Sequence, residues 1–137
     1  MRHIYHCPLR WSDMDAYGHV NNAIFLRYLE EARIDFFSLR GKESKQGSVV
    51  ARHEIDYRRQ LAHRPTPVAI ELWVTEVKAA SFTVSYEVKD ADVVYVQAST
   101  VVVLFDFETQ RPRRVTADER EFLQKYRDDA DEEAVAA

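Results

Sequence analysis

The chain has 137 residues, of which 46% are apolar, and a formal net charge of −4. This composition is typical of one folded domain with a sizeable core, and the negative charge argues against general affinity for nucleic acid. No apolar run approaches the roughly 20 residues of a membrane span, and the N-terminus has no segment resembling a signal peptide. The single cysteine, Cys7, excludes an intrachain disulfide framework, so we expect a cytoplasmic protein with no membrane partner.

A short strand, a polar turn and a long helix are predicted first along the chain. The strand covers Ile4 to Trp11, with Pro8 at an edge or a bulge, and the polar turn covers Ser12 to Asn21. Asn21 or Asn22 is a good helix N-cap, because a side-chain oxygen can accept an unpaired N–H group of the first turn.

The helix is expected to run from Asn22 to Arg40, with Gly41 as a left-handed C-cap. At about 1.5 Å per residue it spans about 28 Å, which predicts a central helix covered by a sheet. One face is apolar along the whole length and comprises Phe25, Tyr28, Leu29, Ala32, Phe36 and Leu39.

After a predicted loop at 42–48, the apolar period changes from that of a helix to that of strands. Three segments, around 53–57, 68–75 and 82–89, alternate between apolar and polar residues, which predicts one buried and one more polar sheet face. Val93 to Phe107 alternates less and is predicted to be a central strand buried on both faces.

The C-terminal part is predicted to hold a short helix and a flexible tail. Thr116 and Glu119 form a capping box ahead of the helix, and residues 128–137 are acidic and rich in alanine. No linker divides the chain, so residues 1–137 are predicted to be a single α+β domain with one long helix against an antiparallel sheet. The apolar area and edge strands left uncovered favour self-association.

The string D-x-D-x-x-G-H-V-N-N from Asp13 to Asn22, followed by Glu30, Glu31 and Arg33 in the helix, resembles the hotdog-fold acyl-CoA thioesterases. The most similar branch is that of 4-hydroxybenzoyl-CoA thioesterase. Two later segments, Glu54 to Tyr57 and Leu104 to Asp106, resemble strands of the same family. The resemblance implies a long central helix wrapped by a five-stranded antiparallel sheet. It also implies a homodimer or homotetramer with active sites at the dimer interface.

Asp15 is the first candidate for catalysis, because a carboxylate can attack a thioester carbonyl or activate water. A loop aspartate can also simply cap a turn. The resemblance decides for catalysis, since the second aspartate of the family's D-x-D string is its catalytic carboxylate. Asp13 is expected to be a solvated or turn-forming residue. Negative charge on the thioester oxygen suits the N–H groups at the helix start, and the resemblance implies the one at Asn22.

Other residues of the same turn are expected to form the substrate site. Gly18 permits a tight backbone, and His19 could line the site, donate a hydrogen bond or hold the loop. Tyr17 and Val20 could line an acyl pocket or serve as core. The predicted substrate-binding set is Tyr17, Gly18, His19, Val20, Asn21 and Asn22.

Coenzyme A phosphates require cations, and arginines are the candidates. The predicted phosphate contacts are Arg58, Arg59 and Arg64, with Arg111, Arg113 and Arg114 as a second group. The five histidines and one cysteine lack metal-ligand spacing, so no metal is expected, and no cofactor beyond the substrate's own coenzyme A.

The predicted function is therefore hydrolysis of an acyl-CoA thioester to a carboxylic acid and free coenzyme A. Two alternatives remain open on the same scaffold: a non-catalytic acyl-CoA binder or regulator, and an enoyl-CoA hydratase or dehydratase that pairs Asp15 with His19. The sequence fixes neither the acyl group nor the choice between nucleophile and general base for Asp15.

Overall fold

A computed structural model describes residues 1–41 and 47–128 of the chain. Residues 42–46 of the predicted loop and 129–137 of the predicted tail lie outside the described residues. The helices are α1 (Asn22–Ser38) and α2 (Ala117–Lys125), and a 3₁₀ turn covers Trp11–Asp13. The strands are β1 (His3–Cys7), β2 (Ser48–Tyr57), β3 (Val68–Val77), β4 (Ser81–Lys89), β5 (Val94–Asp106) and β6 (Arg111–Pro112).

The strands form one antiparallel sheet in the order β1-β3-β4-β5-β2, with β6 paired to the end of β5. This arrangement confirms the predicted α+β fold, with a long helix, five main antiparallel strands and a short C-terminal helix. The sixth strand has two residues, too few to leave a readable period in the sequence. The connections β3–β4 and β4–β5 are short hairpins, closed by the N–H groups of Lys78 and Asp90.

The core lies between α1 and one face of the sheet. Burying each large apolar side chain contributes about 1.5–3 kcal/mol, so this layer dominates the stability of the domain. The helix contributes Phe25, Tyr28, Leu29, Ala32 and Phe36, and the sheet contributes Val68, Ile70, Leu72, Val84, Tyr86, Val88, Val96 and Val102, among others.

The end of α1 differs from the prediction. The helix ends at Ser38 instead of Arg40, and Leu39 is half exposed although it was assigned to the buried face. The reason is that Leu39 lies beyond the last helical turn. Gly41 has a φ of +73°, the left-handed conformation expected just after a helix. Arg33, which the prediction did not place in the core, is only 7% exposed and donates a hydrogen bond to the Tyr86 hydroxyl at 3.1 Å.

The first strand is shorter than predicted. It ends at Cys7 because Pro8 has no N–H group to continue the ladder, and Trp11 belongs to the 3₁₀ turn. Cys7 is fully buried, as expected of a packed strand cysteine, and this burial raises the pKa of its thiol to about 12.

Two predictions about sheet faces are wrong. The central part of β5 is buried on one face only, since Val101 and Val103 remain partly exposed. Strand β2 is exposed along nearly its whole length because it is an edge strand beyond the area that α1 covers. Trp73 falls on the polar face, yet it is buried because the Arg2 guanidinium stacks 3.7 Å from its ring centroid.

The predicted tail begins within the described part of the chain. Asp128 donates its backbone N–H to the Val74 carbonyl at 3.2 Å, and its carboxylate accepts a hydrogen bond from Arg2 at 2.7 Å. Asp128, the first residue of the predicted tail, is therefore bonded to the sheet. Among the described residues, no helix combines the length and apolar character needed to cross a membrane.

Candidate active site

The turn between the 3₁₀ segment and α1 is built around the Asp15 side chain. Its Oδ1 accepts the backbone N–H groups of Tyr17 at 2.8 Å and of His19 at 3.1 Å. The Asp15 N–H donates to the His19 carbonyl at 2.7 Å, and Gly18 closes the turn with a φ of +78°. These bonds fix the direction of the carboxylate relative to the helix that follows.

The second oxygen of Asp15 is not used by the turn. Oδ2 has no hydrogen-bond partner among the described residues, and the side chain borders a groove of about 440 Å³. One oxygen therefore caps the turn while the other is available to a ligand. The two roles weighed for Asp15 in the sequence are compatible. The groove is also lined by His19, Val20, Asn22, Phe25, Tyr57, Arg58, Arg59 and Gln60.

The start of α1 presents one uncapped N–H group beside this groove. Asn21 is the N-cap, and its Oδ1 accepts the Ala23 N–H at 2.9 Å, while the Ile24 N–H bonds to the Asn21 carbonyl at 2.9 Å. The Asn22 N–H has no acceptor among the described residues. It carries part of the positive end of the helix dipole, so it suits a developing oxyanion.

Asp13 was expected to be solvated or to form a turn; it belongs to the 3₁₀ turn but is buried, not solvated. It is 3% exposed and accepts hydrogen bonds from the Tyr28 hydroxyl at 2.7 Å and from Arg10 at 3.2 Å. Burial would raise the pKa of its carboxyl, but the bonds from Tyr28 and Arg10 outweigh burial and leave the pKa below its usual value. Because Tyr28 is on α1, Asp13 anchors the turn to the helix and faces away from bulk water.

His19 holds the turn through its backbone. Its N–H and carbonyl bond to Asp15, and it forms an isolated strand bridge with Ala62. The imidazole borders the groove, and its Nδ1 is buried without a hydrogen-bond partner in the part of the chain that the structure describes. No hydrogen bond joins this ring to the Asp15 carboxylate within 1–41 and 47–128, although both side chains border the same groove.

The remaining predicted pocket residues separate into two environments. Val20 is buried in the core and also borders the groove. Tyr17 is 83% exposed and is not packed against an acyl pocket of this chain. The Gly18 backbone supplies the turn and accepts a hydrogen bond from the His63 N–H at 3.3 Å.

The three arginines predicted for the phosphates are not equivalent. Arg58 and Arg59 line the groove, and among the described residues neither has a carboxylate within ion-pair distance. Arg64 instead binds both oxygens of Asp90, at 2.6 and 2.5 Å, and the carbonyls of Thr66 and Pro67. This bidentate pair lowers the pKa of Asp90 to about 2. Arg64 therefore has less capacity for a phosphate than Arg58 and Arg59, because four of its five N–H donors are already used.

The second arginine group lies elsewhere. Arg113 is paired with Glu119 at 2.7 Å, and Arg111 and Arg114 are exposed at the β6 segment. None of the three borders the Asp15 groove. No group of three or more metal-ligating side chains occurs among residues 1–41 and 47–128.

Three groove residues were not predicted as site residues: Gln60 and the aromatic pair Phe25 and Tyr57. Both fitted ordinary patterns, Phe25 as core helix and Tyr57 as an alternating strand residue. The Tyr57 hydroxyl donates to the Asn22 carbonyl at 2.7 Å, and its ring lies 5.9 Å from that of Phe25. Two signals for Tyr57 were available: its position at the end of its strand, close to Arg58 and Arg59, and the resemblance of the segment Glu54 to Tyr57 to a strand of the family.

Comparison with known proteins agrees with this architecture. The family model of the thioesterase-like superfamily matches residues 9–125. No curated protein sequence matches the chain. Among solved structures, a predicted thioesterase from Bacillus stearothermophilus is 25% identical, with a TM-score of 0.84, covering 93% of this chain and 97% of that one.

Two further structures are similar over most of their length. A predicted thioesterase from Pseudomonas aeruginosa is 30% identical, with a TM-score of 0.79 and coverage of 87% of this chain and 95% of its own. A Thermus thermophilus thioesterase complexed with coenzyme A and zinc is 28% identical, with a TM-score of 0.79 and coverage of 90% and 92%.

The fold and the extent of these matches define a hotdog-fold thioester hydrolase. The chain belongs to the thioesterase-like superfamily. The finer assignment to the 4-hydroxybenzoyl-CoA thioesterase branch stays a prediction.

Proposed function

We propose that this protein hydrolyses an acyl-CoA thioester to a carboxylic acid and free coenzyme A, with Asp15 as the catalytic carboxylate. The observation that carries the proposal is the position of Asp15 Oδ2, unbonded among the described residues, in the same groove as the first residue of α1. A carboxylate and an uncapped helix N–H at one groove supply the two groups that acyl transfer requires.

The reaction begins with the thioester carbonyl oxygen accepting a hydrogen bond from the Asn22 N–H. As a general base, Asp15 takes a proton from water while the water oxygen bonds to the carbonyl carbon. The tetrahedral intermediate then expels the coenzyme A thiolate, which takes up the proton. As a nucleophile, Asp15 bonds to the carbonyl carbon itself and expels the coenzyme A thiolate, which leaves an anhydride. Water then hydrolyses the anhydride to the carboxylic acid and protonated Asp15, whose proton passes to the thiolate. Neither route needs a metal or a redox cofactor.

A thiol-release assay with Asp15→Asn tests the role of the carboxylate. Asparagine can still accept the two turn hydrogen bonds through Oδ1, so we expect kcat to fall by about 10²–10⁴ with the fold intact. Asp35→Asn is the matched control, because Asp35 is an acid in the second half of α1 that bonds to His3 of β1 and does not border the groove. Equal kcat values for wild type and Asp15→Asn would refute the role of Asp15.

Turnover of acyl-CoA itself decides between the enzyme and a non-catalytic binder. A screen of short, long and aromatic acyl-CoAs should give at least one substrate with multiple turnovers. Stoichiometric binding of acyl-CoA without release of free thiol would instead support the binder. Hydration of an enoyl-CoA, measured in parallel, would support the hydratase.

Arg58 and Arg59 are the residues proposed to meet the phosphates of coenzyme A. Both border the groove, and their donors are not used by ion pairs in the described part of the chain. Arg58→Ala and Arg59→Ala should raise KM for acyl-CoA but not for the corresponding acyl-pantetheine, which lacks the nucleotide phosphates. Arg114→Ala, an exposed arginine away from the groove, serves as control. Equal increases in KM for both substrates would contradict the phosphate contact.

The proposal includes assembly with a second copy of the chain in the cytoplasm. Strand β2 has one unpaired edge over ten residues, which in a monomer would be an exposed template for pairing. On α1, Leu26 and Ile34 are exposed, and Arg33 is nearly buried without a carboxylate within ion-pair distance among the described residues. Light scattering should give at least twice the monomer mass, and Ile34→Glu should lower it. A monomeric wild type at micromolar concentration would contradict the proposal.

A further inference from the structure

Residue Asn22 is held from a strand as well as from its own helix. The Tyr57 hydroxyl, at the end of β2, donates to the Asn22 carbonyl at 2.7 Å. This is the single side-chain hydrogen bond between β2 and α1 among residues 1–41 and 47–128. The residue that it holds carries the uncapped N–H group of the helix start.

The surroundings of Tyr57 give this contact a defined geometry. Its ring packs against Phe25, which is buried in the first turns of α1, at 5.9 Å between ring centroids and 58° between planes. The rest of the side chain is open, since Tyr57 is 47% exposed and borders the same groove as Asp15. The Tyr57 side chain thus connects the end of β2 to the start of α1 at the groove.

Without this bond, the start of α1 would have fewer restraints. The first turn of a helix lacks half of its internal hydrogen bonds and frays most readily. Asn21 caps the Ala23 N–H, but no side chain other than Tyr57 bonds to the backbone of Asn22 in the described residues. An oxyanion donor needs a fixed distance to the reacting carbonyl, because its contribution depends on preorganisation.

We propose that Tyr57 is a positioning residue for thioester hydrolysis, whose hydroxyl holds Asn22 so that its N–H is aligned with the substrate carbonyl. This inference rests on the proposed function. It assigns Tyr57 no contact with the reacting atoms and no proton transfer.

Tyr57→Phe removes the hydroxyl and keeps the ring contact with Phe25. We expect kcat to fall about tenfold with KM changed less than about twofold, because the lost interaction acts on the transition state. Tyr5→Phe is the matched control, because it removes a tyrosine hydroxyl from the opposite edge strand, β1, outside the groove. It should leave kcat unchanged. A Tyr57→Phe kcat equal to that of wild type would overturn the inference.

A spectroscopic measurement separates positioning from a general loss of folded protein. In the Asp15→Asn background, in which we expect bound substrate to be hydrolysed only slowly, an isotope-labelled thioester carbonyl reports its hydrogen bonding by its infrared stretch. Adding Tyr57→Phe should return this band toward its frequency in solution. A band that does not move, with wild-type substrate affinity, would contradict the alignment of the donor.

The outcomes distinguish this inference from the function on which it rests. If wild-type protein hydrolyses acyl-CoA and Asp15→Asn does not, the function stands and Tyr57→Phe tests only the positioning role. If wild-type protein has no thioesterase activity, both are overturned. If Tyr57→Leu lowers kcat but Tyr57→Phe does not, the ring is what matters and the role of the hydroxyl is refuted.

Discussion

Asp13 and Asp15 lie two residues apart, on opposite sides of the same turn, and their carboxylates have different environments. The Asp13 carboxylate faces inward and accepts hydrogen bonds from Tyr28 and Arg10. Asp15 faces the groove, bonds to the turn through one oxygen and keeps the other available. One acid ties the turn to the helix, and the other is presented by the turn to a ligand. Met14 between them is extended, so the two acids at the end of the 3₁₀ turn can point to different sides and divide stability and chemistry between them.

Among substitutions of these two aspartates, the largest expected effect is on kcat. Asp15→Asn should lower kcat by about 10²–10⁴ while leaving the free energy of unfolding within about 0.5 kcal/mol, since the amide oxygen still caps the turn. For Asp13→Asn we expect the opposite: the free energy of unfolding falls more than in Asp15→Asn, while kcat per folded molecule stays within a few-fold of wild type. Steady-state kinetics of both variants give kcat, and urea unfolding gives the free energy of unfolding. A larger loss of kcat in Asp13→Asn would invert the assignment of roles.

The next largest effect is expected on the free energy of unfolding, when the buried carboxylate of Asp13 is removed. Asp13→Ala leaves the Tyr28 hydroxyl buried without its acceptor, which costs about 2–3 kcal/mol. The Arg10 side chain contributes little, because it is mostly exposed and its charge can return to water. Urea unfolding at neutral pH gives the value. A loss below 0.5 kcal/mol would mean that Asp13 does not anchor the turn, with Asp15→Asn as the control that should stay near wild type.

The Tyr28 hydroxyl, which donates to Asp13, should make a pH-dependent contribution to the free energy of unfolding. Tyr28→Phe removes a donor to a buried charge and should cost about 2 kcal/mol at neutral pH. Because the folded pKa of Asp13 lies below the ordinary 3.8, its interactions stabilise the fold above that pH and are lost as pH falls through the folded pKa. The difference in unfolding free energy between wild type and Tyr28→Phe should therefore narrow in acid. A constant difference down to about pH 2.5 would exclude ionised Asp13 as the partner.

The sequence was sufficient for the fold, because its signals were periodic and long. The apolar face of α1 and the alternation of β3 and β4 each recur over many residues, so single exceptions such as Leu39 did not obscure them. The exposure of β2 was not predictable in this way. Its alternation matched that of a covered strand, and only the position at the sheet edge decides what covers it.

Apart from Arg58 and Arg59, the groove residues that were predicted are close to one another in sequence. Asp15, His19 and Asn22 belong to one turn, so a single string of residues revealed them. The ion pair of Arg64 and the burial of Asp13 were not predicted, because their partners, Asp90 and Tyr28, are distant in sequence and have no marked pattern. Tyr57 was missed for the same reason, since its partner at Asn22 lies 35 residues earlier. Pairings of this kind are decided by tertiary structure.

The smallest expected effect concerns two neighbouring asparagines at the helix start. Asn21→Ala removes the oxygen that caps the Ala23 N–H and should cost about 1 kcal/mol of unfolding free energy. Asn22→Ala is the matched control, because its exposed side chain caps nothing among the described residues, and its cost should stay within about 0.5 kcal/mol. Thermal and urea unfolding of both variants give the comparison. Equal losses would show that the helix start is held by other contacts, and Asn21 would then lose its role in orienting the N–H groups that face the groove.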